Sequence, residues 1–135
     1  MLGGRSHSTG IRNRRGAALV EFAIVAILLF MLIFAIIDFG LALHDYLALS
    51  QVAREAARSY GLGGSTARVD SVVDEWRTKL GLTKYPIIRD YTTEGPSTDQ
   101  AAVVKLTYQH DWIAAGLLGL GSYINLEATM VTRKE

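Results

Sequence analysis

From Ala17 to Ile37 the chain is apolar at every position but one. Ala, Leu, Val, Ile, Phe and Met fill about 21 residues, no Gly or Pro interrupts them, and Glu21 is the only charge. A helix of that length spans roughly 31 Å, close to the ~30 Å hydrocarbon core of a bilayer. It would be apolar on every face. A chain of 135 residues builds no core large enough to surround such a helix, so lipid or other helices must cover it. The pattern predicts a transmembrane segment over 17–37. The helix does not stop there. Phe39, Leu43, Tyr46, Ser50, Ala53, Ala57 and Tyr60 recur at spacings of three and four, the stripe of an amphipathic stalk helix continuing to residue 60. Gly40 is the one position inviting a bend, and Gly61 with Gly63-Gly64 ends the helix.

Beyond residue 61 the pattern changes twice. Ser65-Thr66 caps a predicted second helix over 67–80, with Val69, Val72, Val73, Trp76 and Leu80 on one face. Arg68, Asp70, Asp74, Glu75 and Arg77 mostly lie elsewhere and read as a solvated face. The period then becomes two. Residues 85–91 form a short predicted strand with Pro86 at its start or on an edge, and 92–99, with Gly95-Pro96, a loop. Ala102, Val104, Leu106 and Tyr108 alternate against Val103, Lys105 and Thr107. Ile124, Leu126, Ala128 and Met130 alternate against Tyr123, Asn125, Glu127 and Thr129, a half-buried strand. Residues 111–121 are too short to cross a bilayer. Two readings stand for them: a turn covering the core, or an apolar patch for a neighbour or the membrane surface. The expected fold class is α+β and membrane-anchored. It has a long N-terminal transmembrane and stalk helix, one further helix and a three-stranded antiparallel sheet, the small extracytoplasmic α+β domain occupying 61–135.

Charge adds a direction. Arg5, Arg12, Arg14 and Arg15 are four of the 14 basic residues, and they precede Gly16 together with none of the 13 acidic ones. From Ala17 onward ten basic residues face 13 acidic ones. Arg12, Arg14 and Arg15 beside an apolar helix act as topogenic charges rather than as a nucleic-acid patch, and the next basic residue is Arg54. The positive-inside rule places the N-terminus in the cytoplasm and the C-terminal domain outside. Residues 1–15, polar and basic, are expected to be unstructured in water or to lie on the membrane surface. A conventional secretory signal competes with this reading, but its apolar region should run about 7–15 residues, and Gly40-Leu41-Ala42 is a weak cleavage site. The absence of Cys excludes disulfides, thiolate metal sites and thiol nucleophiles. His44 and His110 lack metal-ligand spacing, no Gly-Lys-Ser/Thr makes a phosphate loop, and no serine has a nucleophile's context. No enzyme, cofactor or metal site is expected.

Glu21 is the odd residue. At a helix N-terminus a carboxylate is favoured by the macrodipole and reaches the headgroups. Alternatively it awaits a positive partner inside an assembly, since an acid deep in a membrane helix costs on the order of 2.5–3.5 kcal/mol. Its surroundings bear on the choice. Arg12-Asn13-Arg14-Arg15-Gly16 is followed by Ala17-Ala18-Leu19-Val20 and then Glu21-Phe22. With Asp38-Phe39-Gly40 and the Gln51–Arg58 stretch, this resembles the TadE-like family of Flp (Tad) type IVb pilus pseudopilins, specifically over 14–61 and loosely beyond. The resemblance implies a pilin-like fold and a structural subunit, a minor pseudopilin, in the bacterial cytoplasmic (inner) membrane. Residues 1–16 would be a leader removed by a prepilin peptidase between Gly16 and Ala17, with Glu21 and Phe22 serving assembly and register. The implied partners are that peptidase, the major pilin and other minor pseudopilins, the inner-membrane platform of the pilus, and the lipid bilayer. Two alternatives remain: an uncleaved single-pass envelope scaffold or adaptor of the same family, and an unrelated anchored protein whose outer domain binds a ligand.

Overall fold

The computed structural model describes residues 9–96, 99–117, 119, 121 and 123–134; the side chains of 9–15, 114 and 117 lie outside that description. The elements are α1 (Thr9–Gly61), α2 (Thr66–Lys79), β1 (Ile88–Glu94), β2 (Ala101–Asp111), α3 (Ile113–Leu117) and β3 (Tyr123–Arg133). The chain divides into two units at the Ile37–Asp38 step, and α1 contributes to both. A long apolar N-terminal helix, a second helix and a three-stranded antiparallel sheet are the α+β membrane-anchored class expected from the pattern.

In the first unit α1 begins at Thr9, eight residues upstream of the expected start. The helix enters the basic segment because Arg is a good helix former and no Pro stands in its way. Residues 1–8, for which no structure was expected, lie outside the described residues. From Leu19 to Ile37 the large apolar side chains are exposed, Leu19 and Phe22 by 69% and 70%. None of the most apolar window of the helix is buried.

The second unit has its own core. Leu49, Val52, Ala53 and Ala56 of α1 pack with Val69 and Val73 of α2 and with Val104, Leu106 and Tyr108 of β2, closed by Leu82, Ile87 and Ala128. The alanines at 53, 56 and 57 are fully or almost fully buried, and their small size lets the backbone approach its neighbours closely. α1 stops where expected. Gly63 takes φ +76°, its N–H and that of Gly64 return to the carbonyls of Tyr60 and Ser59 at 3.1 and 3.0 Å, and a left-handed residue of this kind favours glycine. Ser65 caps α2, its hydroxyl accepting from the Arg68 N–H. The strands form a meander in the order β1-β2-β3. Val104 stands opposite Tyr91 on one side and Met130 on the other. Ala102, Val104, Leu106 and Tyr108 are all buried, as their alternation requires.

Three details differ from the pattern-based expectation. The buried stripe of α1 begins Asp38, Ala42, Leu49, whereas Phe39, Leu43 and Tyr46 are exposed; the first half of the stripe is rotated by one residue because polar residues take inward places. β1 starts at Ile88 rather than 85, beyond Pro86, which has no N–H for a ladder. Asp70 and Asp74 are not a merely solvated face, since both accept from Arg89 of β1. Residues 111–121 contain the one-turn α3, with Ile113 half exposed; the side chains of Ala114, Leu117, Leu118 and Leu120 lie outside the described residues.

Candidate functional site

The candidate site is the N-terminal part of α1. Helical geometry puts Ala17 and Glu21, four residues apart, on one face. Gly16, Ala17, Val20, Glu21 and Ile24 line one open hollow on that face, and Phe22 projects beside it, exposed. The helix is unbroken through the Gly16–Ala17 bond. A Cβ at Gly16 would meet nothing within 4 Å. Packing therefore does not call for glycine here, and glycine in a helix interior costs roughly 0.5–1 kcal/mol relative to alanine. The side chains of Arg12, Arg14 and Arg15 lie outside the described residues, so their expected topogenic role rests on the sequence.

The second unit holds two polar clusters that the sequence pattern did not predict. At one end of the sheet a cavity of about 220 Å³ is lined by Leu41, Asp45, Lys84, Tyr85, His110 and Asp111, among others. Its ionisable groups are engaged with one another. His110 Nδ1 lies 2.8 Å from Asp45 Oδ2. Tyr85 donates its hydroxyl to both oxygens of Asp111 at 2.9 and 2.8 Å, and Lys84 pairs with the same carboxylate. The Lys84 hydrogen bond, with that of Tyr85 second, holds the Asp111 carboxyl below the usual carboxylate range. Across α2 and β1, Arg89 Nη1 donates to Asp70 Oδ1 at 2.9 Å and Nη2 to Asp74. Tyr91 donates to Asp70 at 2.8 Å. Asp70 is also lowered, by Arg89 first and Tyr91 second, and burial with the Asp70 bond raises the Tyr91 phenol. These are clasps between elements. Among the described residues no group of three His, Asp or Glu side chains has the arrangement of a metal site. Spacing alone could not reveal them, because each joins residues 15 to 65 positions apart.

The chemistry on display is thus an uncovered apolar helix with one acid near its head, carried by a domain whose polar groups serve its own packing. Among the described residues one helix, near the N-terminus, is long and apolar enough to cross a membrane, a single candidate anchor. The chain matches no curated protein and no solved structure. Residues 16–58 match the family model described as TadE-like protein, a structural, pilus-associated family. The matched segment takes in Gly16, Glu21, Phe22 and most of α1 and leaves α2 and the sheet outside it. Over that segment, about a third of the chain, the sequence is similar to TadE-like proteins.

Proposed function

We propose that the chain is a minor pseudopilin-like subunit, processed by a prepilin peptidase and incorporated into, or acting in the assembly of, a Flp (Tad) pilus. The observation that carries this reading is the junction at the head of α1. Gly16 stands where no packing requires it, immediately before the exposed apolar stretch of α1 over 17–37, whose single acid is Glu21, within the TadE-like match. Arg12, Arg14 and Arg15 hold the leader in the cytoplasm. Glycine lowers the cost of unwinding the helix at the bond to be cut. Cleavage between Gly16 and Ala17 leaves an α-amino group whose reference pKa, roughly 7.7–8.0, keeps it mostly charged at neutral pH. A cation at a helix N-terminus is opposed by the macrodipole. Glu21, on the same face as Ala17 or from a neighbouring copy, answers that charge, and in a low-dielectric bundle the pairing sets the axial register of one subunit against the next. Phe22 and the apolar residues after it are the surface that exchanges lipid for neighbouring helices. The partners of this reading are the peptidase, the major pilin and other minor pseudopilins, and the inner-membrane platform; the location is the bacterial inner membrane, N-terminus inside.

Intact mass and N-terminal sequencing of the protein extracted from its host's membranes test it. The expected chain begins at Ala17, and replacing Gly16 with a bulky residue abolishes that product. A chain still beginning near Met1, in cells whose peptidase cuts another pilin, replaces the subunit with an uncleaved scaffold.

A further inference from the structure

The ion pairs of the second unit leave a remainder that, Glu55 on α1 apart, is sorted by sign. Among the described residues Arg54, Arg58 and Arg68 on the helices have no carboxylate partner, and neither do Asp90 and Glu94 on β1 any cation. The two sets lie on opposite layers. Arg58 and Arg68 flank a groove of about 320 Å³ between the end of α1 and α2, floored by Leu62, Val72 and Trp76. Glu55 also lines it but makes no ion pair with Arg58, although they are three residues apart. Asp90 and Glu94 stand on the outer face of β1, where residues alternate exposed and half-buried from Ile88 to Glu94. Arg89 and Tyr91, on the other face, are turned to α2. Among the described residues no layer covers the outer face, and Ile88 is 68% exposed on it, as Leu62 is 63% exposed at the groove.

We propose that the occupant of this groove is the outer face of β1 from a second copy of the chain. Ile88 enters between Leu62 and Trp76, while Asp90 and Glu94 meet Arg58 and Arg68. The contact is head-to-back, so each copy offers one half and receives the other. Such a heterologous interface repeats instead of closing as a pair, and gives rings or open filaments. It repeats copies without inverting them, as copies anchored in one bilayer require. Opposite charges at the rim choose the partner and the register, and the apolar centre excludes water. The proposal rests on the reading of the chain as an assembling subunit and supplies that assembly with a contact outside the membrane.

The chain has no Cys, so introduced thiols report directly. Full-length copies with Leu62→Cys are produced beside copies with Ile88→Cys in the host's membranes and oxidised; both positions are exposed, so folding is not at stake. The mixed pair is expected to form a dimer that neither single variant forms alone, and a chain bearing both changes to form a ladder. Arg58→Glu with Arg68→Glu should weaken the ladder on the order of tenfold by placing like charges opposite, and Asp90→Lys with Glu94→Lys in the same chain should restore it. Dimers of Leu62→Cys alone equal to the mixed product would mean a face-to-face contact and overturn the proposal. So would a ladder indifferent to the charge reversal. Ile27→Cys in the anchor separates the two readings. Cross-links there without any between 62 and 88 remove the head contact and leave the subunit; cross-links at neither remove both.

Discussion

His110 Nδ1 and Asp45 Oδ2 lie 2.8 Å apart although 65 positions separate the two residues. The imidazole continues the inward alternation of β2 after Tyr108, and only 7% of it is exposed. Asp45 occupies a place on α1 where the apolar period would put a hydrophobe, and it also faces His44 at 3.3 Å. A buried polar group left without its partner loses the full cost of its desolvation, about 1–3 kcal/mol. Asp45→Ala is therefore expected to lower stability by that amount, read as a shift in the denaturant midpoint of the detergent-solubilised chain. Asp45→Leu combined with His110→Leu should recover much of it, because both partners go together. Equal losses in the single and double variants would show that the pair contributes by shape and not by its bond.

Arg89 serves α2 and β1 at once, with one nitrogen on Asp70 and the other on Asp74. Lysine keeps the charge but not the planar fork. Arg89→Lys should thus cost about 0.5–1.5 kcal/mol, and Arg89→Ala more, since Asp70 then keeps only the Tyr91 hydroxyl and Asp74 only its longer pair with Arg77 at 3.8 Å. Thermal melts at pH 7 distinguish the three proteins.

The same clasp makes the domain acid-sensitive. Asp70, held by Arg89 and Tyr91, and Asp111, held by Lys84 and Tyr85, have folded-state pKa values below the ordinary one. Groups shifted this way contribute stability that is complete above the unfolded value of about 3.9 and is lost as pH falls through the lowered folded values. Denaturant midpoints should therefore be flat from neutral pH down to about 5 and fall below about pH 4. Arg89→Ala should make that fall shallower. A slope as steep as that of the unaltered protein would place the acid sensitivity at Asp111 alone.

Two glycines of α1 invite opposite outcomes. A Cβ at Gly61 would lie 2.6 Å from Thr132 Cγ2 and 2.9 Å from the Arg133 carbonyl, whereas one at Gly40 meets nothing within 4 Å. Gly61→Ala has to push backbone of β3 aside, and such overpacking costs typically about 1–3 kcal/mol. Gly40→Ala relieves a helix interior of glycine and should stabilise it by up to about 1 kcal/mol. Circular-dichroism melts of both variants check the pair; a stabilising Gly61→Ala would mean that β3 does not lie against the end of α1.

The long helix, the turn at Gly63-Gly64, the Ser65 cap and the buried face of β2 were legible in the sequence because each depends on neighbours within a few positions. Glycine supplies the left-handed residue, Ser65 caps three residues away, and Ala102 to Tyr108 alternate within one strand. The stripe of α1 was misread where hydrophobicity and burial part company. Phe39 is 64% exposed and Asp38 1%, an inversion that hydropathy cannot foresee. The clasps at Asp45, Arg89 and Asp111 were hidden for a related reason. An aspartate on a helix looks solvated until a strand from elsewhere in the chain brings an Arg, Tyr or His to it. At the head of α1 the residues Gly16, Ala17, Glu21 and Phe22 were singled out by their order, because the chemistry proposed there belongs to a local segment and not to a pocket.

Glu21 is the residue on which the proposed assembly turns, and its two possible duties separate by experiment. A carboxylate that merely reaches the headgroups from the start of a membrane helix is replaceable by glutamine, which is polar, nearly the same shape and cheaper to hold in lipid. A carboxylate that answers the new amino group of Ala17 is not, because glutamine leaves a charged amine at the positive end of the helix dipole. Glu21 is exposed on α1, so its replacement should leave the domain's folding unchanged. Glu21→Gln is expected to be cut after Gly16 as the unaltered chain is, and to accumulate as processed protein in the membrane. Its share in sheared pilus fractions should fall at least about tenfold, the effect of losing roughly 1.4 kcal/mol from each contact. Quantitative immunoblots of membrane and sheared fractions, with intact mass to verify processing, measure both quantities. Incorporation undiminished in Glu21→Gln would reduce Glu21 to a surface-seeking side chain, and the register of the subunits would then have to come from the apolar face that begins at Phe22.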